Sequence, residues 1–170
     1  MSNHIRIEKL GFDELEDIVE LYRAAVGAPD CVWDDQYPSE EDIRTDIERA
    51  SLYGVHDEKG HVIAAIAQDH DENTDLLPCW SAELQPGAEF ARVVVAGEYR
   101  GRGIAAEMIR NYMRILRNQG YNSVRYLVAE QNLAARRAYE PLGFQKVGEV
   151  DIYGAHYLCY EKALKLCSEI

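Results

Sequence analysis

Basic residues are scarce in this chain. Eighteen lysines and arginines stand against 30 aspartates and glutamates, giving a formal net charge of −12 at neutral pH. Binding along a phosphate backbone needs a basic face, so nucleic acid is excluded as the main partner. An acidic surface favours solubility and suits a cationic partner such as an amine. Cysteine is sparse too. Cys31, Cys79, Cys159 and Cys167 include no Cys-x-x-Cys pair and form no cysteine–histidine set at metal-ligand spacing, which argues against a disulfide framework and a zinc site. No metal is assigned, and the scattered His4, His56, His61, His70 and His156 receive no role. No apolar run approaches the ~18 residues of a membrane span. Met1-Ser2-Asn3-His4 lacks the basic-then-apolar character of a signal peptide, so a cytoplasmic protein with no membrane association is expected. Repeats, low-complexity tracts and linkers are missing as well. With 170 residues, 47% of them hydrophobic, the chain is expected to form one domain over residues 1–170.

What is present alternates between strand and helix patterns. Ile5 and Ile7 predict a short first strand. Asp13 then stands where it would cap a helix carrying Leu15, Ile18, Val19 and Tyr22 on one face. Cys31–Pro38 is an irregular loop, and Ser39 with Asp42 forms a capping-box pattern that opens a second helix. Strands are predicted over Ser51–His56 and Val62–Gln68, joined by the turn Asp57-Glu58-Lys59-Gly60. Residues 69–87 form a long polar loop of the kind usually kept for function. A strand over Phe90–Val95, a helix over Gly101–Asn118 and a strand over Val124–Val128 follow. A short helix at Leu133–Leu142 and a hairpin about Gly154 complete the pattern. This order implies a mixed α/β sheet with a β-α-β crossover.

The segment Tyr99-Arg100-Gly101-Arg102-Gly103-Ile104-Ala105 joins a strand to a helix start. The first amides of a helix have no intrahelical partner, and the helix dipole adds about half a positive charge there. Gly101 and Gly103 let an anion approach the backbone and can take positive φ. Arg100 and Arg102 supply forked cationic donors. The arrangement is a pyrophosphate cradle. It is not a Walker loop, because no Gly-Lys-Ser/Thr follows, and Ala106 stands where a third dinucleotide-loop glycine would be.

Downstream, Asn132, Ala135, Tyr139, Gly143 and Phe144 recur at fixed spacing after the run Val124–Val128. Together with Arg100, Gly103 and Ala105 they resemble the two motifs of the GNAT superfamily of N-acetyltransferases, over about residues 89–150. The resemblance implies a mostly antiparallel central sheet with splayed middle strands, flanked by helices. It further implies acetyl transfer from acetyl-CoA to a primary amine by direct attack. Gly97, where relatives often carry proline, departs from the pattern and affects the rigidity of the turn.

On that resemblance, the backbone of Arg100, Gly101, Arg102, Gly103, Ile104 and Ala105 binds the pyrophosphate. Val93 and Val95 bond the pantetheine arm through their backbones, and the Val95 amide polarises the thioester carbonyl. Asn132 bonds the cofactor arm or caps its helix. Tyr139 is the candidate general acid, since a phenol stays protonated near neutral pH and can protonate a leaving thiolate. An alkylammonium of pKa ~10.4 must lose a proton before attack. Glu89 is the candidate base, with Glu83 as second choice and ordered water alone as a further option.

Acceptor recognition falls to the loop Cys31–Pro38, the loop over 69–87 and the terminal hairpin. Asp34 and Asp35 there could meet a cation beside Trp33 or Tyr37. The acceptor itself is left open among small amines, amino acids, antibiotics and proteins. A non-catalytic acyl-CoA sensor is the alternative reading, and a homodimer through an exposed sheet edge is left open.

Overall fold

The computed structural model describes residues 4–164; Cys167 lies outside them. Seven strands form one sheet in the order β1-β2-β3-β4-β5-β7-β6. They are β1 (Glu8–Lys9), β2 (Leu52–His56), β3 (Val62–Asp69), β4 (Gly87–Val95), β5 (Ser123–Ala129), β6 (Gln145–Ile152) and β7 (Ala155–Ala163). Every neighbouring pair is antiparallel except β4 and β5. Helices α1 (Leu15–Ala25) and α2 (Glu40–Glu48) cover one face of the sheet, and α4 (Ile104–Asn118) covers the other. The short helices α3 (Glu72–Asp75) and α5 (Leu133–Tyr139) lie at the ends of loops. No described helix is long and apolar enough to cross a membrane.

Periodicity explains the helices. Helix α4 buries Ile104, Met108, Ile109, Tyr112 and Leu116, a stripe at helical spacing. Helix α1 buries Ile18, Leu21, Tyr22 and Ala25. The Ser39 hydroxyl accepts from the Asp42 amide at 3.1 Å, and the Asp42 carboxylate accepts from the Ser39 amide at 2.7 Å. That is the reciprocal cap predicted for α2. The central strand β3 is buried along seven of its eight residues, as a strand covered on both faces must be.

Several predicted boundaries move. Ile5 and Ile7 lie outside any strand; they pack as partly buried residues under α4, and only Glu8 and Lys9 pair with β2. Asp13 does not cap α1. It sits in a 3-10 turn over Phe12–Glu14, where the Glu14 carboxylate accepts from the Gly11 amide. Helix α4 starts at Ile104, not Gly101, because Gly101 and Gly103 are left-handed, with φ of 75° and 76°. The loop over 69–87 holds α3 and a 3-10 turn. The terminal hairpin turns at Tyr153 and Gly154, both at positive φ, the conformation that two-residue hairpin turns need.

Candidate active site

Strands β4 and β5 pair over only three residues: Gly87 with Ser123, Ala88 with Val124, and Glu89 with Arg125. Beyond Glu89 they part, leaving a cleft with an unpaired backbone edge on β4. A second irregularity lies just ahead. Ala67 pairs with Ala91 and Ala65 with Val94, so Arg92 and Val93 together oppose Ile66. This is a β-bulge, and Arg92 takes a left-handed φ of 51°, where glycine is the usual occupant. The bulge inverts the parity of the strand. Phe90 belongs to the core under α4 and Val94 to the core under α1 and α2. In an unbroken strand, residues four apart would share a face.

The bulge also sets where backbone groups point. The Ala96 amide donates to the Ile63 carbonyl at 2.8 Å, which makes Val95 and Ala64 a non-hydrogen-bonded antiparallel pair. The Val95 amide and carbonyl therefore face away from β3, into the cleft. The carbonyl accepts from Arg100 Nε at 3.0 Å.

At the mouth of this cleft, Gly103 caps α4 with no side-chain hydrogen bond to the first turn. Space is open where Cβ atoms would sit on Gly101 and Gly103. The first-turn amides of α4 are thus reached over two left-handed glycines. The arginines of this turn are folded back onto the loop: Arg100 bonds Val95, while Arg102 donates to the Glu98 carbonyl at 3.0 Å and lies over the Tyr99 ring.

Glu89 is 4% exposed and stands beside Asp69, its cross-strand partner on β3. Thr74 Oγ1 on α3 donates to Glu89 Oε2 at 3.2 Å, while Oε1 has no hydrogen-bond partner among the described residues. Burial, followed by the charge of Asp69, pushes the carboxyl up to about 8. A buried acid titrating near neutrality, with one oxygen free, is suited to taking a proton. Glu83, the second choice, is exposed in a 3-10 turn.

Tyr139 closes the cleft from the opposite face. It is 8% exposed, with its ring edge-on to Phe90 at 5.8 Å and to Tyr126 at 5.1 Å. Burial raises its pKa and keeps it protonated. A hollow of about 350 Å³ beside it is lined by Tyr126, Arg136, Arg137, Phe144 and Tyr160. The Asn132 side chain accepts from the Ala135 amide at 3.1 Å and caps α5, the second of its two expected roles.

The three segments expected to meet the acceptor do converge on the Glu89 side. Arg92 Nη1 donates to the Tyr37 hydroxyl at 3.2 Å and to Asp69 at 3.3 Å. Helix α3 supplies Thr74, and Tyr153 of the hairpin bonds Asp71 and Asn73. Asp34 and Trp33 serve the loop itself. Asp34 accepts from the Gln36 and Tyr37 amides at 2.8 and 3.0 Å, and Trp33 packs on Tyr22. Negative charge near the cleft comes from Asp69 instead, which stands beside Glu89.

Sequence reasoning missed Asp46 and Arg92. Arg92 pairs bidentately with Asp46 of α2, at 2.7 Å from Nε and 2.8 Å from Nη2. Burial opposes the charge on Arg92, but the carboxylates of Asp46 and Asp69 hold its pKa above the ordinary value. A signal existed: the buried stripe of α2 is Ile43, Asp46 and Ile47, with an acid on the apolar face.

The fold recurs in known proteins. An acetyltransferase of the GNAT family from Streptococcus agalactiae superposes with a TM-score of 0.73 at 21% identity, covering 96% of this chain and 98% of that one. The yncA protein of Salmonella typhimurium, solved with its cofactor acetyl-CoA, gives 0.72 at 16% identity, covering 98% and 97%. At these identities the likeness shows the fold. By sequence, N-acetyltransferase 8 of Mus musculus is 31% identical over 106 residues, 61% of this chain and 44% of that protein. Human N-acetyltransferase 8B is 33% identical over 73 residues, 38% and 32% of the two lengths. The chain thus spans less than half the length of these curated relatives. The model of the acetyltransferase (GNAT) family matches residues 15–144, from α1 through both motifs and the parted strands, and the chain belongs to that family.

Proposed function

We propose that the protein is an N-acetyltransferase that moves an acetyl group from acetyl-CoA to a primary amine by direct attack. One observation carries this reading: Glu89 and Phe90 are consecutive and so point to opposite faces of the sheet, Glu89 meeting Asp69 and Thr74 of α3 while Phe90 touches Tyr139 under α4. A proton acceptor and a proton donor thus flank β4 from opposite faces where it leaves β5. An amine entering on one side can lose its proton to Glu89, directly or through a water. A sulfur leaving on the other can take the Tyr139 proton. The same burial that raises the phenol also raises the basicity of a thiolate formed there.

Acetyl-CoA would supply an activated acyl group. The residues present fit it: unpartnered α4 amides behind open glycines for the pyrophosphate, and a cleft-facing Val95 amide for charge developing on the thioester oxygen. Acceptor recognition belongs to Tyr37, Asp69 and the α3 loop.

The test is thiol release from acetyl-CoA across polyamines, amino acids, aminoglycosides and lysine peptides. Release above the blank with one class is expected, and Tyr139→Phe should lower that turnover about 10²-fold while leaving acetyl-CoA affinity unchanged. Binding of acetyl-CoA with no turnover on any class, and no effect of Tyr139→Phe, would favour a non-catalytic acyl-CoA sensor.

A further inference from the structure

We propose that the buried Asp46–Arg92 ion pair is a clamp that holds residue 92 left-handed and thereby aims the Val95 amide into the cleft. Asp46 and Arg92 are positioning residues, and what the aimed amide does rests on the acyl-transfer reading above.

Three observations support the clamp. A β-branched or long side chain seldom occupies the left-handed region, and a bulge of this kind normally uses glycine. Here arginine occupies it, so something must hold the backbone. The guanidinium is gripped by both oxygens of Asp46, with the two side chains 7% and 4% exposed. The carbonyl of the same residue accepts from the buried Tyr22 hydroxyl at 2.6 Å. Side chain and backbone of Arg92 are thus fixed from α2 and α1 respectively.

The consequence is a matter of parity. Two residues of β4 oppose one of β3 at this point, and every group beyond is turned over relative to an unbroken ladder. Without the bulge, the Val95 amide would point at β3 and the Val94 amide at the cleft. Two further bonds of Arg92, from Nη1 to Asp69 and to Tyr37, tie the same element to the neighbour of Glu89 and to the loop over residues 31–38.

The test uses Asp46→Asn and the double variant Asp46→Asn/Arg92→Gly. Glycine adopts positive φ without help, so the double variant keeps the bulge and needs no clamp. Carbon chemical shifts and the amide–Hα coupling of residue 92 report its φ without any substrate. Thiol-release kinetics report the amide, for which loss of one oxyanion donor costs about 10²-fold in kcat. Asp46→Asn should move residue 92 out of the left-handed region and lower kcat by about 10²-fold with little change in KM for acetyl-CoA. The double variant should return both readings to near native. A left-handed residue 92 with unchanged kcat in Asp46→Asn overturns the clamp. So does a double variant that folds, by circular dichroism, but stays as impaired as the single one. If Asp46→Asn does not fold, the double variant alone decides by the same two readings. A native protein inactive on every acceptor removes the acyl-transfer reading, and the coupling at residue 92 still decides the clamp.

Discussion

Replacing Glu89 by glutamine should remove activity and, at alkaline pH, stabilise the fold. The carboxyl is pushed from an ordinary 4.5 to about 8 by burial and by Asp69. In the pH interval between those values the folded chain holds a proton that the unfolded chain has released. Stability therefore falls as pH rises through that interval, because the folded state binds more protons. At about 1.4 kcal/mol per pH unit, the full displacement is worth roughly 5 kcal/mol, a ceiling reached only above the folded pKa. It is large beside the roughly 5–15 kcal/mol that holds a domain together.

Glutamine is isosteric, keeps an acceptor for Thr74 and never ionises. Urea unfolding of both proteins should give curves that nearly coincide at about pH 4 and separate steadily as pH rises. By about pH 9 the glutamine variant should lead by several kcal/mol. The same variant should lose the ionisation near 8 from the acid limb of kcat/KM, with a fall of about 10²- to 10⁴-fold. The acceptor amine titrates nearer ~10 and leaves its own limb in both proteins. A stability difference that does not change with pH would refute the burial argument. An unchanged acid limb in the glutamine variant would refute the role of Glu89 as the base.

Thr74→Val removes the bond that favours the ionised carboxyl of Glu89, so the acid limb of kcat/KM should move to higher pH, read from the same profiles. Gly103→Glu places a side chain and a negative charge over the α4 amides and forces a φ of 76° on a residue with a Cβ. It should cost about 1–2 kcal/mol of stability and abolish measurable acetyl-CoA binding by calorimetry in a protein that remains folded.

The sequence disclosed those parts of the fold that follow from local rules. The stripe on α4, the Ser39–Asp42 cap and the turns at Gly60 and Gly154 each depend on residues a few positions apart, where periodicity and turn chemistry act directly. The glycine turn into α4 was legible for the same reason, since a strand, a glycine turn and a helix start are contiguous. What sequence could not disclose depends on pairing between distant segments. Glu89 becomes a near-neutral acid only because β3 brings Asp69 beside it and α3 closes over it. Nothing within a few residues of Glu89 distinguishes it from a solvated acid after Pro86-Gly87.

The run Phe90-Ala91-Arg92-Val93-Val94-Val95 shows the limit most clearly. Read alone, it is an apolar strand interrupted by one arginine, and alternation would place Phe90, Arg92 and Val94 on one face. The structure puts Phe90 under α4 and Val94 under α1, because one extra residue is accommodated at Arg92. A charge inside such a run is costly unless it is paired, and the only local hint of its partner was an aspartate on the apolar stripe of α2. Those two anomalies, each unfavourable by itself, satisfy one another across 46 residues of sequence. A buried arginine in a strand and a buried acid in a helix are therefore best read together, as the two ends of one constraint on the backbone between them and the cleft.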